Sequence, residues 1–282
     1  LQLDDKPASP VNNLIPGDYT VAEAAVGPEW KVIGSGAVVA VSAGRPCAEA
    51  TITNRYDPGC LDVTKAVDLA DVANPNAISE NFTITVTGPS YPSGISQTFN
   101  LSNGVVSPPS WHLEGLIPGS YNVNETAPGS EWTVTGTGNV TVFAGTDCAT
   151  KTITNTYCPG RVVIYKTTDG SVALNPMDYP WTFQLTGPGG YSENMTADNI
   201  TGMVDFGPLA AGQYTLCELG VPTGYSVNWT MDMVQVYPTI DNITGDQCYT
   251  FRVPACDNVT FEIDNVRPGE CTRTQGFWKT HL

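Results

Sequence analysis

Cysteine, glutamate and asparagine recur in this chain at similar intervals, and cysteine is the residue type among them with an obvious cross-linking chemistry. One cysteine precedes an asparagine by seven, seven and nine residues in three related segments, at Cys47–Asn54, Cys148–Asn155 and Cys256–Asn265. A glutamate precedes the first two of these asparagines by 31 and 30 residues. Cysteines form disulfides outside the cell, or bind metal where histidines and further cysteines cluster with them. The chain has no Cys-x-x-Cys motif and only two histidines, His112 and His281, which argues against a metal site.

These residues belong to an internal repeat. Its phrase occurs three times, as LIPGDYTVAEAAVGPEWKV at 14–32, LIPGSYNVNETAPGSEWTV at 116–134 and LAAGQYTLCELGVPTGYSV at 209–227. Each copy is followed by a strand-like segment that carries an asparagine, TITNRY, TITNTY or FEIDNV. Repetition of this kind predicts a string of similar modules. We expect a partial module at 1–58, complete modules at 59–157 and 158–268, and a tail at 269–282.

Alternating threonine and valine predict strands through most of the chain. The segments NFTITVTG, EWTVTGTGNVTV and KTITNTY have period-two patterning with β-branched residues, and turn dipeptides interrupt the pattern every 8 to 12 residues. No long segment has helical periodicity. Modules of about 100 residues with this pattern are typical of antiparallel β-sandwiches. The predicted fold class is therefore all-β, with tandem Ig-like sandwich modules.

Composition indicates an extracellular protein. The chain has 12 Lys and Arg residues against 28 Asp and Glu residues, which disfavours binding to nucleic acid or anionic lipid. It has no recognisable signal peptide and no apolar run of about 20 residues, so we expect a mature or partial product whose anchor lies beyond its ends. Eight cysteines and nine Asn-x-Ser/Thr sequons favour a glycosylated surface protein, with sequons at Asn81, Asn100, Asn124, Asn139, Asn194, Asn199, Asn228, Asn242 and Asn258.

The repeated phrase resembles a known family. Tyr-x-Val-x-Glu-Thr-Ala-Pro followed by Trp, with a terminal Thr-Ile-Thr-Asn-Thr-Tyr strand, resembles the Cna protein B-type domains, also called SpaA-like or prealbumin-like, of pilins and adhesin stalks. The resemblance covers the chain up to about residue 268. It implies prealbumin-like sandwiches whose first and last strands lie side by side and run parallel.

The resemblance also implies a self-formed amide bond in each complete module. In the family, a lysine on the first strand joins an asparagine on the last strand, and a buried glutamate promotes the reaction. The matching residues are Lys65, Glu125 and Asn155 in one module, and Lys166, Glu218 and Asn265 in the next. Burial favours a neutral amine that attacks the carboxamide, with the glutamate moving the proton. The alternative is a hydrogen-bonded cluster without a covalent bond.

Parallel pairing in the family implies the disulfides Cys60–Cys148 and Cys158–Cys256, which leaves Cys217 with Cys248. Cys158 precedes its lysine by eight residues and Cys256 precedes its asparagine by nine, so we expect a bulge in this strand pair. The alternative pairs, Cys47–Cys60 and Cys148–Cys158, join neighbours in sequence. They require the chain to turn back, because nine or more extended residues span about 30 Å.

The two ends of the chain suggest a joint between subunits. The first module has Glu23, Cys47 and Asn54 but no opening strands, whereas the tail has Cys271 and Lys279 at the spacing of a first strand. One hypothesis is that the tail of one subunit inserts into the first module of the next, with a Cys47–Cys271 disulfide and a Lys279–Asn54 amide beside Glu23. The favoured interpretation is that the chain is a window of a longer repeat protein whose missing strands lie upstream, because one tail strand cannot replace two missing strands.

The predicted function is a structural subunit of an extracellular filament, pilus or surface stalk. Its expected partners are copies of itself in a head-to-tail polymer, and covalent glycans. An adhesin that binds glycan or protein ligands through its loops is the alternative, and exposure of Trp181, Trp229 or Trp278 would support it. Morphology discriminates the two, because ordered polymers favour the filament and isolated tips favour the adhesin. An enzyme is disfavoured, because no Gly-x-Ser-x-Gly or Walker motif is present. No cofactor is expected. At Asp68, Asp71 and Asn74, a solvated loop is favoured over a weakly indicated calcium site.

Overall fold

A computed structural model describes residues 11–145, 147–171 and 180–268. Strands make up most of this part of the chain, which confirms the all-β fold class. The only helical segments described are two short 3₁₀ turns, Pro75–Ala77 and Pro188–Gly190. The cysteine and lysine of the tail, Cys271 and Lys279, lie outside the described residues.

The first module contributes two small antiparallel sheets. Strand β1 pairs with β3, and β2 pairs with β4. The strands are β1 (Gly17–Val21), β2 (Trp30–Ile33), β3 (Ala37–Val41) and β4 (Thr53–Tyr56). Much of their apolar surface is exposed.

The second module is a two-sheet sandwich. Its strands are β5 (Gly59–Asp68), β6 (Glu80–Gly88), β7 (Tyr91–Ser102), β8 (Val105–Ser107), β9 (Ser110–Leu116), β10 (Gly119–Glu125), β11 (Trp132–Thr135), β12 (Gly138–Val142) and β13 (Ala149–Tyr157). One sheet has the order β12-β10-β6-β7-β8, and the other has the order β11-β13-β5-β9.

The third module repeats this plan with two five-stranded sheets, β17-β14-β23-β19-β20 and β16-β15-β18-β22-β21. Its strands are β14 (Gly160–Thr168), β15 (Thr182–Thr186), β16 (Ser192–Thr196), β17 (Met203–Leu209), β18 (Gly212–Leu219), β19 (Ser226–Met231), β20 (Val234–Val236), β21 (Thr239–Ile240), β22 (Gln247–Val253) and β23 (Asn258–Val266).

Alternating residues build the cores of both sandwiches. In β6, for example, Phe82, Ile84 and Val86 are buried while Thr83 and Thr85 face outward. Successive side chains of a strand point to opposite faces, so this alternation puts one face against the opposite sheet. Full burial of side chains of this size stabilises the fold by about 1.5–3 kcal/mol each.

Each complete module has one parallel strand pair, formed by its first and last strands. Strand β5 pairs with β13, and β14 pairs with β23, which confirms the expected parallel arrangement. Lys65 lies opposite Ile153, so Asn155 is two residues further along on the same face. Same-face neighbours of this kind are close enough for long side chains to meet.

The expected bulge in the third module's parallel pair is wrong. The ladder runs without a register shift from Arg161 opposite Asn258 to Thr168 opposite Asn265. Cys256 instead lies in a turn before β23, with a φ of 60°. The turn accommodates the unequal spacing, so the strand itself does not need an extra residue.

A buried asparagine joins the second and third modules. The Asn74 side-chain oxygen accepts a hydrogen bond from Ala210 N at 2.9 Å, and its nitrogen donates to Tyr214 Oη at 2.8 Å and to Pro188 O at 3.1 Å. Neither a calcium ligand nor the favoured solvated loop describes Asn74, because the residue is buried and its amide is hydrogen-bonded at this junction.

In the second module, the groups equivalent to Ala210 N and Tyr214 Oη form their hydrogen bonds within the module itself. Its Ser90 Oγ accepts from Ile117 N at 2.8 Å and from Tyr121 Oη at 2.7 Å. The third module has Gly189 where Ser90 stands in the repeat, and a Cβ there would lie 3.0 Å from the backbone nitrogen of Ala77. The missing side chain leaves room for the second module to dock.

Candidate cross-linking sites

Lys65, Glu125 and Asn155 converge in the core of the second module. Lys65 Nζ lies 2.9 Å from Glu125 Oε2, and Asn155 Nδ2 donates to Glu125 Oε1 at 2.5 Å. The Lys65 and Glu125 side chains are both fully buried. Strands β5, β10 and β13 each supply one of the three residues, so the triad exists only when both sheets have formed.

One carboxyl group bridges the amine and the amide nitrogen. Glu125 uses one oxygen for Lys65 Nζ and the other for Asn155 Nδ2. In an attack of the amine on the asparagine carbonyl, these nitrogens are the nucleophile and the leaving group. A carboxyl in this position can take a proton from the first and give it to the second, which is general acid–base catalysis.

Burial prepares the lysine for this reaction. Desolvation lowers the pKa of Lys65, although its hydrogen bond and charge attraction to Glu125 oppose the shift. Nζ lies 4.3 Å from the centre of the Phe82 ring, which covers the amine on the side of β6. A lower pKa increases the neutral, nucleophilic fraction of the amine.

The third module brings together Lys166, Glu218 and Asn265 with a looser lysine contact. Asn265 Nδ2 donates to Glu218 Oε1 at 2.7 Å, whereas Lys166 Nζ is 3.5 Å from the same oxygen. The lysine also donates to the backbone oxygens of Thr167 at 2.7 Å and Ile263 at 3.3 Å. The three residues are therefore close together, but the Lys166 amine donates its hydrogen bonds to backbone oxygens as well as facing Glu218.

Burial perturbs both ionisable groups of this third triad. It lowers the pKa of Lys166 to about 8, although attraction to Glu218 and Asp264 acts in the opposite direction. Burial also raises the pKa of Glu218, against the attraction of Lys166 and the hydrogen bond from Asn265. Both shifts favour the neutral amine and the protonated carboxyl, which are the forms that the reaction uses.

The first module contains the same glutamate–asparagine pair. Asn54 Nδ2 donates to Glu23 Oε1 at 2.7 Å. Glu23 Oε2 and Asn54 Oδ1 are buried and have no hydrogen-bond partner among the described residues. No lysine amine is recorded beside this pair in the part of the chain that the structure describes.

Three disulfides lie within the two complete modules. They are Cys60–Cys148, Cys158–Cys256 and Cys217–Cys248, the three intrachain pairs that follow from the repeat and the family resemblance. The first two join the parallel strand pair of each module close to its beginning. Cys148 is also near Asp62 and His112, but its sulfur is bonded to Cys60 and is not a free thiolate ligand. Cys47 is exposed and unbonded within the described residues.

All nine sequon asparagines are exposed. In the second module they lie on strands of one sheet, with Asn81 opposite Asn100 on β6 and β7, and with Asn124 and Asn139 on β10 and β12. By contrast, Asn74, Asn155 and Asn265, which are not in sequons, are buried. The predicted glycosylation sites are therefore accessible, and their occupancy stays a prediction.

Two of the three tryptophans considered for ligand binding are in the cores. Trp181 is 1% exposed and Trp229 is 0% exposed, whereas Trp278 lies outside the described residues. Trp181 covers Lys166 Nζ at 4.5 Å from the ring centre, as Phe82 covers Lys65. The role of these two rings was not predicted from the sequence, although each is an aromatic residue near the start of the strand that follows the lysine strand.

Comparison with known proteins gives distant structural similarity. No family model matches the chain, and no curated protein matches it. No helix among the described residues is long and apolar enough to cross a membrane. The chain is similar to the Bacillus anthracis TIE protein, with 14% identity and a TM-score of 0.45, over 84% of this chain and 42% of that one.

Two further similar structures are pilus proteins. The major pilin from Streptococcus pyogenes is 13% identical with a TM-score of 0.45, and the match covers 75% of this chain and 99% of that one. The C-terminal fragment of the pilus adhesin SpaC from Lactobacillus rhamnosus GG is 16% identical with a TM-score of 0.39, and the match covers 77% of this chain and 100% of that one.

Proposed function

We propose that this chain is a structural subunit of an extracellular filament, pilus or surface stalk, with modules that carry tension. One observation supports this function most strongly. In both complete modules the first and last strands run parallel, side by side, and a disulfide and a Lys–Glu–Asn triad both bridge them. These are the strands through which a pull on the two ends of a module would pass.

The cross-links place most of each module outside the path of force. With Cys60 bonded to Cys148, a pull at the module's ends crosses the link and bypasses the 88-residue separation between them. Without a link, an unfolded module would lengthen by roughly 300 Å, at about 3.5 Å per extended residue. A module stapled in this way suits a stalk better than a protein that must open to bind or to react.

The second staple in each module is an amide bond, Lys65–Asn155 or Lys166–Asn265. The neutral lysine Nζ attacks the asparagine Cγ, the new C–N bond forms, and the bond from Cγ to Nδ2 breaks. The glutamate takes a proton from Nζ and delivers one to Nδ2, which leaves as ammonia. The reaction happens once per module and needs no cofactor, so the chain modifies itself and is not an enzyme.

The proposed setting is the cell surface, with glycans on the exposed sequons and with copies of this chain as partners in a head-to-tail polymer. The formal net charge of −16 keeps subunits apart except where specific contacts join them. The adhesin alternative has less support, because Trp181 and Trp229 are buried, while Trp278 lies outside the described residues.

Intact-mass measurement of the purified chain tests the staples. We expect a mass lower than that of the disulfide-bonded sequence by two ammonia molecules, one for each triad. A Glu125→Ala variant should lose only one ammonia molecule, because only the triad of the third module is intact. Electron microscopy of native material tests the assembly: ordered filaments support the function, whereas solitary particles together with free lysines in both triads would overturn it.

A further inference from the structure

A groove lies on the outer face of one sheet of the third module. It follows the parallel strands β14 and β23 and the neighbouring strand β19, and its volume is about 490 Å³. The cross-linking triad of this module is buried beneath the sheet, so the groove is a separate site. Six of its lining residues carry the argument below, namely Tyr165, Thr167, Asn228, Thr230, Glu262 and Asp264.

Strand register arranges these six side chains in two rows that cross the sheet from β14 to β19. Tyr165, Glu262 and Thr230 form one row, and Thr167, Asp264 and Asn228 form the next. Neighbouring strands are about 4.8 Å apart, so Asn228 and Tyr165 are separated by about 10 Å across the sheet. A sugar chain that begins at Asn228 can therefore extend along the groove to the Tyr165 ring.

The side chains of the groove suit a carbohydrate. Tyr165 is 45% exposed between two buried residues, and its ring offers an apolar surface to the C–H face of a sugar. The carboxylates of Glu262 and Asp264 accept hydrogen bonds, which sugar hydroxyls donate. Neighbouring hydroxyls already hold these carboxylates in place, because Thr230 Oγ1 donates to Glu262 at 3.3 Å and Thr167 Oγ1 donates to Asp264 at 2.7 Å.

The groove also contains an attachment point for a glycan. Asn228 and Thr230 are the first and third residues of one sequon, and both line the groove, whereas Trp229 between them is buried. A glycan on Asn228 would start inside the groove and have a high effective concentration there. A second copy of the chain is a poorer occupant, because its net charge of −16 is repelled by Glu262 and Asp264.

The second module has neither the aromatic ring nor the sequon at the equivalent positions. The repeat places Thr64 at the position of Tyr165, and Thr135 at the position of Asn228. The residue opposite Thr64 is Thr152, where the third module has a carboxylate. The ring, the carboxylate and the sequon therefore occur together in one module and are replaced together in the other, as expected for parts of one site.

We propose that an N-linked glycan on Asn228 lies in this groove and packs on Tyr165, so that it covers the outer face of the third module's parallel strands. The inference rests on the proposed function, which places glycans on the exposed sequons. Attachment forms a bond from Asn228 Nδ2 to C1 of the first sugar, while Nδ2 loses a proton. The bond from C1 to the phosphate oxygen of an activated glycosyl phosphate donor breaks, and the phosphate leaves with that electron pair.

Glycopeptide mapping and nitration by tetranitromethane test the inference on the full chain produced in its natural host. We expect a glycan on Asn228. Nitration of Tyr165 should be about fivefold slower than in an Asn228→Gln variant, because a contact of the strength usual for aromatic rings keeps the groove filled most of the time. Tyr56 of the first module is the internal reference, since it is 50% exposed and its rate should not change. The matched control is Asn258→Gln, which removes another sequon from the same sheet and should leave Tyr165 protected.

Two substitutions of Thr230 keep the test valid if Asn228→Gln fails to fold. Thr230→Ala destroys the sequon and should expose Tyr165, whereas Thr230→Ser keeps the sequon and should leave the ring protected. An unmodified Asn228 in the parent chain, or equal nitration of Tyr165 with and without the glycan, would overturn the proposal. Ammonia loss and filament morphology, measured on the same material, show independently whether the proposed function stands.

Discussion

Removing the two staples of the second module should give a non-additive loss of stability, which can be calculated from their positions. Cys60–Cys148 closes a loop with a separation of 88 residues, and Lys65–Asn155 closes one of 90. Either link alone restrains the unfolded chain by about 4.5 kcal/mol in the chain-entropy model. When one link is present, the other closes only the ring of about 14 residues between them, which contributes about 3 kcal/mol.

Each single removal should therefore cost about 3 kcal/mol, and removal of both about 7.5 kcal/mol, which exceeds the sum by about 1.5 kcal/mol. The perturbations are Cys60→Ser with Cys148→Ser, Asn155→Ala, and their combination. Hydrogen exchange read by mass spectrometry on peptides of the second module measures its opening free energy, with peptides of the third module as an internal control.

Two results would refute this reasoning. If the Asn155→Ala cost were only about 1 kcal/mol, it would be that of a lost hydrogen bond, and the amide would be absent. If the two removals were strictly additive, the links would not share one strand pair as constraints on the unfolded chain. Intact mass of each variant, measured first, establishes which links it contains.

Three further predictions concern the third module and its junction. In an Asn265→Ala variant the Lys166 amine stays titratable, and its pKa is lowered by burial to about 8. Between pH 8 and about 10.5 the unfolded chain then holds more protons than the folded one, so the free energy of unfolding should rise with pH by about 3 kcal/mol. Urea titrations at several pH values measure this rise, and the cross-linked parent should not show it. Asn74→Ala should weaken the junction by about 1–3 kcal/mol, because the Ala210 N–H would lose its hydrogen-bond acceptor. The matched control is Asn76→Ala, since Asn76 is an exposed neighbour. Gly189→Ser should also open the junction, because its Cβ crowds Ala77 and its φ is 70°; unchanged small-angle scattering for both junction variants would contradict this account.

Some of the structure followed directly from local sequence. Alternating threonine and apolar residues specify strands, because a pleated strand presents every second side chain to the core. The repeat placed Lys65, Glu125 and Asn155 at matching positions, and the fold brings them to hydrogen-bonding distance. Copies of one repeat sequence adopt the same backbone conformation, so the place of a residue in one module indicates the place of the equivalent residue in the next.

Other features needed tertiary structure, since they depend on which surfaces meet. Asn74 looked like a loop residue or a calcium ligand, but its partners are more than 100 residues away in the third module. The spacing of Cys158 and Cys256 indicated a bulge, whereas a turn outside the ladder absorbs the difference.

The sequence by itself determined the module repeat and the β class, because these depend on short-range periodicity, and its resemblance to a known family indicated the candidate cross-linking residues. Only the tertiary structure decided that one carboxyl of Glu125 bridges an amine and an amide, and that aromatic rings cover the two lysines. Distances between residues far apart in the chain are set by how two sheets pack, and a one-dimensional pattern does not contain them.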